Sequence, residues 1–328
     1  MRRARRAGAG GGVAMAAYAF RRLLAAIPIL IGLSVIVFIM MAAIPGDTAT
    51  AILGAYATPE NVERLNRQLG LDQPLVAQYF NWAGNLLQGD MGRSYALNRP
   101  VADEVFERFS ATLILAGAAL ILCSIFGLIA GVASAARQYG WTDRIVTFLV
   151  IIGISTPSFW LGLLMIMLFA VNLQWLPASG MYAIYGGGDL PDLLRHLIMP
   201  ATTLAVVATG VIARLTRGAM LEVLRQDYVR TARAKGVSER RVVYVHAFKA
   251  ALVSVIPVIG VQAGFVLGGA VYIETVFQWP GVGRMLVNAI SQRDLLLVQG
   301  GVLVVAASYV LFNLLADLAQ TWLDPRLR

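Results

Sequence analysis

The chain has 328 residues, of which 58% are hydrophobic and only 14% are charged, and its mean hydropathy is +0.70. Because a soluble globular domain carries about 25% charged residues, this composition excludes an ordinary soluble domain and indicates a protein of the lipid bilayer. The formal net charge of +9 would suit nucleic acid, but the Lys and Arg residues lie between apolar runs instead of on one continuous face, as membrane topology requires.

The first twenty residues are basic and then glycine-rich, and we expect them to be disordered, with Met1 or Met15 as the start of the protein. Arg21 and Arg22 precede an apolar run, as in a secretory signal, but the run is too long for one and further runs follow. Six runs reach or approach the roughly 20 residues that a membrane-spanning helix needs. They cover about 23–44, 111–136, 145–172, 197–213, 250–273 and 295–316. Pro157 in the third run predicts a kink or tilt, and the fourth run is short.

Most of the Lys and Arg residues fall on one side if the N-terminus is cytoplasmic, and the positive-inside rule then places both termini inside. Residues 45–108 form the one large outer segment, with Thr58 and Pro59 as a helix start and Gly70 as a helix stop. We therefore expect an all-α integral membrane protein with about six transmembrane helices. After a first span at 21–44 and the helical extracytoplasmic segment 45–108, the membrane core occupies 109–328.

The most informative part of the chain is the stretch 217–249 between two apolar runs, which we call the basic segment. Residues 220–235 are expected to leave the membrane as one helix that ends in cations and is capped by Gly236. Ser238 is a suitable N-cap for a short second helix with Glu239 in its first turn, and Val237 and Val242 occupy the positions of a hydrophobic staple. The alternatives are a solvated basic loop or a patch for lipid headgroups. The complete set of stop and start signals favours a helical element that docks on a cytoplasmic protein.

Motifs along the chain resemble the permeases of binding-protein-dependent ABC importers, in the dipeptide, oligopeptide and nickel branch. The basic segment contains DYVRTARAKG at 227–236, which resembles the EAA loop of that family. The other matches are AIPGD at 43–47, LGLDQPL at 69–75, GDMGRS at 89–94, STPSFW at 155–160, ETVFQWPGVG at 274–283 and DPR at 324–326. They occur in the order that the family has.

The resemblance implies a permease subunit of the first type in an ATP-driven importer that works by alternating access in the bacterial inner membrane. Its partners would be a second homologous permease, two cytoplasmic ATPase subunits that hold ATP and Mg, and an extracytoplasmic solute-binding protein. The positions implied to contact the ATPase are Asp227, Arg230, Thr231, Ala232, Arg233, Ala234, Lys235, Gly236, Ser238, Glu239, Arg240 and Arg241. RTA at 230–232 stands where the motif has its Glu-Ala-Ala, so the generic glutamate contact is not expected. Pro45, Gly46 and Asp47 are implied to contact the binding protein.

Enzymatic motifs are missing from the sequence. Neither lysine, Lys235 or Lys249, follows a glycine as a P-loop requires, so ATP must be hydrolysed on another chain and this chain is expected to bind no cofactor. His196 and His246 are predicted on opposite sides of the membrane and cannot share a metal, and the single Cys123 excludes a cysteine metal cluster. A secondary transporter or channel and a membrane-embedded enzyme are the remaining alternatives, but no intramembrane charge relay or catalytic constellation favours them.

A few intramembrane positions have weaker interpretations. Glu274 and Gln278 either line the pore or its outer gate or lie at the interface, and Asn313 and Asp317 are expected to pack against a helix. The glycine pairs at 127/131 and 264/268 permit close helix contacts. The transported solute is not determined by this sequence: peptides are the commonest cargo of the resembling branch, while nickel complexes, glutathione and oligosaccharides are alternatives.

Overall fold

The computed structural model describes residues 6–43 and 48–323, so the residues at 45–47 and the closing DPR motif lie outside the described part. In the described residues the regular structure is helical apart from one hairpin of short strands. The helices are α1 (Arg6–Ala42), α2 (Thr48–Leu53), α3 (Pro59–Leu69), α4 (Leu75–Leu87), α5 (Val101–Ala136), α6 (Trp141–Ser155), α7 (Ser158–Met165), α8 (Leu190–Leu224), α9 (Asp227–Ala234), α10 (Glu239–Arg241), α11 (Phe248–Val276), α12 (Val282–Ser291) and α13 (Leu295–Leu323). A π-helical stretch Ile166–Asn172 follows α7, and another, Val242–Ala247, joins α10 to α11.

Four helices are long and apolar enough to cross a membrane, and they are Val101–Ala136, Leu190–Leu224, Glu239–Val276 and Leu295–Leu315. Trp141–Ser155 and Ser158–Asn172 pass the same test together but are bent by 103° at Pro157. The predicted kink is therefore present, because proline cannot donate the backbone hydrogen bond that a continuous helix needs. The apolar part of α1, Leu24–Met40, is a shorter stretch. Within the described residues the structure thus has four uninterrupted spans, or five with the bent pair, against the six predicted.

Helix α1 begins at Arg6, whereas the sequence indicated disorder up to residue 20. Alanine and arginine are strong helix formers, and a helix that continues outward from an apolar stretch needs no new nucleation. These two effects outweigh the glycines at 10–12.

Two compact units divide the chain, and the first is made mainly of residues 112–280. In this unit α8 is the central element, since it packs against α6, α7 and α11. Most of its inward positions are buried from His196 to Val223, although Pro200 lies inside the helix. The run predicted as the short span 197–213 is therefore the middle of a helix of 35 residues that continues beyond it at both ends.

The second unit comprises residues 24–111 and 281–308. Its core contains Val101 and Val105 of α5, Val282 and Met285 of α12 and Leu297 of α13. The predicted cues of α3 are confirmed: the Thr58 hydroxyl accepts a hydrogen bond from the backbone N–H of Asn61, Pro59 opens the helix, and Gly70 closes it at φ +67°.

A buried carboxylate organises the middle of this unit. Strands β1 (Arg93–Ser94) and β2 (Arg99–Pro100) form an antiparallel hairpin. The Asp294 carboxylate accepts hydrogen bonds from the Ser94 hydroxyl at 2.5 Å, from the backbone N–H of Ala96 at 3.2 Å and from that of Leu297 at 3.2 Å. Because Asp294 is only 2% exposed, these donors replace the water that its charge would otherwise require. The hairpin is thereby fixed to the start of α13.

Candidate coupling surface

The basic segment contains a separate short helix, which the sequence did not predict. Residues 220–235 were expected to form one helix, but α8 ends at Leu224 and α9 begins at Asp227. The helix is interrupted at Gln226, whose backbone is extended at φ −74° and ψ 152°. Asp227 then lies in the first turn of α9, where the helix dipole favours an anion. The expectation of one continuous helix is therefore wrong, because Asp227 supplies a helix start inside the run.

Gly236 closes α9 as predicted. Its φ is +78°, in the left-handed region that side chains resist. The backbone N–H of Val237 donates to the carbonyl of Ala232 at 3.2 Å, and that of Gly236 donates to Arg233 at 2.9 Å. This pair of hydrogen bonds is the Schellman motif, which satisfies the last carbonyls of a helix. The chain turns at Gly236 and then enters α10.

Ser238 and Glu239 start α10 in a way that differs from the prediction. Ser238 occupies the N-cap position, but its side chain makes no capping hydrogen bond. Glu239 instead accepts two hydrogen bonds from the Arg233 guanidinium, at 2.6 and 2.9 Å, so an ion pair joins α9 to α10 across the turn. Hydrogen bonding to this carboxylate raises the pKa of Arg233. The geometry of the turn is therefore held by an exposed bidentate pair and by its backbone.

The second predicted helix is not an isolated element. From Glu239 to Val276 the chain is helical without a break, because the π-helical residues Val242–Ala247 join α10 directly to α11. The start of α10 is thus one end of a helix that is long and apolar enough to cross a membrane.

The underside of the basic segment is fixed in a hydrophobic cluster of the first unit, which we call the basal cluster. Its buried members come from five elements: Val132 and Ala135 from α5, Met220 and Val223 from α8, Val229 from α9, Val242, Val243 and Ala247 from the π-helical stretch, and Ala251 from α11. Val229 is fully buried and is the one buried residue of α9. Burial of a valine side chain contributes about 1.5–3 kcal/mol. Val237 and Val242 of the predicted staple both belong to this cluster, the first partly buried and the second fully.

The opposite side of the basic segment is exposed, and we call it the docking face. Of the twelve positions implied by the motif, Ala232 alone is half-buried. The exposed ones are Asp227, Arg230, Thr231, Arg233, Ala234, Lys235, Gly236, Ser238, Glu239, Arg240 and Arg241. Five cations and two carboxylates therefore lie on a surface whose reverse is hydrophobic and buried. Helix α9 therefore has an inner side, at Val229 and Ala232, that packs on the chain and an exposed cationic side that is available to another protein.

A buried ion pair beside the basal cluster was missed by the sequence reasoning. The Arg217 guanidinium of α8 donates to both carboxylate oxygens of Asp143 in α6, at 2.7 and 2.8 Å. The Ser134 hydroxyl of α5 donates to the same carboxylate and accepts from Arg217 at 3.1 Å, and the backbone N–H of Tyr139 donates at 2.9 Å. The Asp143 side chain is 6% exposed, so this network ties three helices together where the basic segment begins.

The other predicted site residues are dispersed. Glu274 is fully buried and accepts a hydrogen bond from the Thr112 hydroxyl at 2.6 Å, whereas Gln278 is exposed at φ +52°. A pore or outer-gate role for Glu274 and Gln278 stays a prediction. His246 lies exposed on the π-helical stretch, and His196 is buried beside Asp192.

One of the two predicted glycine pairs makes close helix contacts at both positions, and the other pair does so at one position. Gly127 and Gly131 of α5 face α8: a Cβ at Gly127 would lie 2.7 Å from Ile212, and one at Gly131 would lie 2.6 Å from the carbonyl of Ala213. In the second pair, Gly264 faces the ring of Tyr309, but Gly268 has open space beside it. The spacing of small residues indicates a possible contact and does not specify that both members use it.

Two family descriptions match the chain. Residues 124–328 match the binding-protein-dependent transport system inner membrane component, and residues 15–116 match the N-terminal part of such membrane components.

Similar proteins extend over nearly the whole chain. The dipeptide transport system permease protein DppB of Alkalihalophilus pseudofirmus is 42% identical, over 96% of this chain and 100% of its own length. The glutathione transport system permease protein GsiC of Escherichia coli is 41% identical, over 95% of this chain and 98% of its own length.

A solved structure of the MetNI methionine ABC transporter, in an inward-facing conformation, aligns with a TM-score of 0.56 at 17% identity and covers 67% of this chain and 96% of its own. At that identity the likeness concerns the fold. Together with the family matches and the apolar spans, it identifies the chain as a multi-pass permease subunit of an ABC importer that belongs to the family of binding-protein-dependent transport system inner membrane components.

Proposed function

We propose that this permease forms half of a peptide-translocating pore and couples it to ATP hydrolysis through the docking face. A second permease would complete the pore, two cytoplasmic ATPase subunits would hold ATP and Mg, and an extracytoplasmic binding protein would deliver the peptide. The basic segment and both termini then lie in the cytoplasm, as the distribution of Lys and Arg favours. The peptide assignment rests on the dipeptide permease that is 42% identical over nearly the full length.

The observation that carries the proposal is the two-sided construction of the basic segment. Its outer side exposes Arg230, Arg240 and Arg241, while Val229 on its inner side enters a cluster shared by α5, α8 and α11. A loop that only contacts solvent would not need an inner side packed in a hydrophobic cluster. A partner that grips the docking face can move the ends of three helices at once.

The coupling follows from rigid packing. Protein interiors are packed as densely as organic crystals and therefore resist deformation. A displacement of α9 would thus carry the whole basal cluster with it. Helix α11 is continuous with α10, and α8 is held to α6 by Arg217 and Asp143, so the displacement reaches the membrane-spanning helices directly. ATP binding changes the pore state only through contacts that differ between the two states. The docking face would supply those contacts.

Charge reversal on the docking face tests the proposal. The double variant Arg240→Glu/Arg241→Glu is expected to lose most of the ATPase subunit that co-purifies with the permease, together with ATP-dependent dipeptide uptake. Arg64→Glu is a matched control, since Arg64 is also exposed but lies on α3. Retention of the ATPase at the control level by the double variant, with normal uptake, would show that the docking face is not the contact.

Glutathione is the second candidate cargo, because the glutathione permease GsiC is 41% identical over a similar length. The two assignments share one mechanism and differ in the solute. Uptake of a labelled dipeptide and of labelled glutathione, each measured with the other solute as unlabelled competitor, separates them. Peptide transport predicts dipeptide uptake that glutathione does not reduce, whereas uptake of glutathione without uptake of the dipeptide would assign glutathione.

A further inference from the structure

Helix α4 has an apolar side that is not covered by the second unit. The helix, LVAQYFNWAGNLL, contains no charged residue. Val76, Phe80 and Leu87 are 68%, 67% and 90% exposed. At 3.6 residues per turn these three positions lie within about 40° of one another around the helix axis. An exposed apolar stripe of this kind indicates a surface that contacts a membrane or another protein.

The opposite side of α4 is polar and its groups are satisfied within the unit. The Gln78 amide donates to the carbonyls of Leu71 and Gln73 at 3.1 and 2.8 Å, and the Asn81 amide donates to the Gln73 side chain at 3.0 Å. Asn85 lies on the same polar side and is exposed. The helix is therefore amphipathic, with one side bound to the chain that precedes it and the other side free of it.

The position of α4 along α1 places it at membrane depth. The Tyr79 hydroxyl lies 2.9 Å from the Ser34 hydroxyl, and the Phe38 ring lies 5.5 Å from Tyr79 and 6.0 Å from Trp82. Ser34 and Phe38 belong to the apolar stretch Leu24–Met40. With a rise of about 1.5 Å per residue, Ser34 lies about 9 Å inside the end of that stretch. Helix α4 is thus beside the apolar part of α1, and not above it.

Helix α1 exposes apolar side chains at the same level. Ile36, Ile39 and Met40 are 55%, 57% and 64% exposed. Interfacial helices bury their apolar side about 5–10 Å into the boundary between headgroups and acyl chains, which matches the depth at which α4 meets α1. Tyrosine and tryptophan are also enriched at that boundary, and Tyr79 and Trp82 are the residues that contact α1.

We propose that α4 is an interfacial helix that lies in the headgroup–acyl boundary of the bilayer, with Val76, Phe80 and Leu87 in contact with lipid. The lipid surface is favoured over a protein partner because α4 contacts the apolar stretch Leu24–Met40 of α1, which exposes apolar side chains of its own at the same level. The helix holds the short helices and the hairpin of the second unit against the membrane.

Nitroxide labels on α4 test the position directly. Phe80→Cys and Leu87→Cys are made in a Cys123→Ser background, which removes the single native cysteine, and Asn85→Cys is the control on the polar side. The assembled transporter is placed in phospholipid nanodiscs, and collision of each label with oxygen and with a water-soluble nickel chelate is measured by power-saturation EPR. The expected oxygen-to-nickel collision ratio is several-fold higher at positions 80 and 87 than at position 85.

Two results would overturn the proposal. A nickel preference at 80 and 87 equal to that at 85 would place the stripe in water, and exclusion of both reagents from 80 and 87 would show that a protein covers it. Val76→Cys gives a further position if either label lowers the yield of the transporter, since Val76 is equally exposed. The measurement does not depend on the transported solute.

Discussion

Gly236 connects α9 to α10, so its backbone conformation bears on the proposed coupling to the ATPase. Its φ of +78° lets the chain turn from α9 into α10, and a Cβ built on it would meet no atom within 4 Å. A substitution there therefore meets no steric clash and is resisted by the backbone alone. A side chain in the left-handed region costs about 1–2 kcal/mol, with β-branched residues the worst and asparagine tolerated.

We therefore expect Gly236→Val to lower both the yield of the assembled transporter and its ATP-coupled uptake, whereas Gly236→Asn retains most of each. The measurement is uptake per mole of purified complex, with thermal unfolding of each variant alongside. Equal behaviour of the valine and asparagine variants would contradict this role for the turn.

The pair of Arg217 with the buried Asp143 supports a second prediction at this scale. Removal of Arg217 leaves the Asp143 charge uncompensated, and the cost approaches roughly 3–5 kcal/mol when both members of such a pair are buried. We expect Arg217→Ala to be strongly destabilising and Arg217→Lys to be intermediate, because lysine cannot form the two parallel hydrogen bonds that Arg217 makes. Arg214→Ala is the control, since Arg214 lies on the same helix but is exposed. Thermal unfolding in one detergent compares them, and an Arg217→Ala variant as stable as Arg214→Ala would refute the prediction.

Some of these residues can be predicted from the sequence and others cannot, for a physical reason. Gly236 was predictable because a helix stop is encoded by its neighbours in the chain. The pairing of Arg217 with Asp143 was not, because it depends on how α6 and α8 pack, and the two residues are 74 positions apart in the sequence. The same limit explains why the bidentate contact between Arg233 and Glu239 was missed, although both residues had been implicated separately.

At the scale of elements, the close approach of α5 and α8 depends on glycine. A Cβ at Gly131 would lie 2.5 Å from the Thr216 side chain and 2.6 Å from the carbonyl of Ala213, and the backbone cannot move away cheaply. Gly268 on α11 has nothing within 4 Å of a Cβ. The same substitution is therefore expected to have different results at two membrane glycines.

Gly131→Ala is expected to destabilise the permease by about 1–3 kcal/mol, the usual cost of overpacking, whereas Gly268→Ala is neutral or slightly stabilising. Thermal unfolding of the two alanine variants, purified in parallel, measures the difference. A neutral Gly131→Ala would mean that α5 and α8 are not in the close contact that the structure shows.

Element boundaries were the least predictable feature of the fold. The helix predicted over 220–235 is divided at Gln226, and the helix predicted to start at Ser238 runs on into a membrane span. In both cases a local signal was present, but the packing of Val229 and Val242 in the basal cluster decides which signal is used. The bend at Pro157 was predictable, because proline removes a helical hydrogen bond wherever the helix lies.

For the whole molecule, composition and charge distribution were sufficient to indicate a multi-pass α-helical membrane protein, and the ordered motifs were sufficient to indicate the family. Both conclusions are confirmed by the apolar helices and by the family matches. The number of spans was less predictable, since the first apolar stretch is short and the third is broken at Pro157.

The most direct test of the central claim is to place a photo-cross-linking amino acid at Arg240 in the assembled transporter, with the same residue at Arg64 as the control. If the docking face is the ATPase contact, irradiation yields a covalent adduct with the ATPase subunit from position 240 and none from position 64. Absence of that adduct at position 240, together with labelling of an Arg240→Cys variant in a Cys123→Ser background from outside intact cells by a membrane-impermeant thiol reagent, would contradict the account.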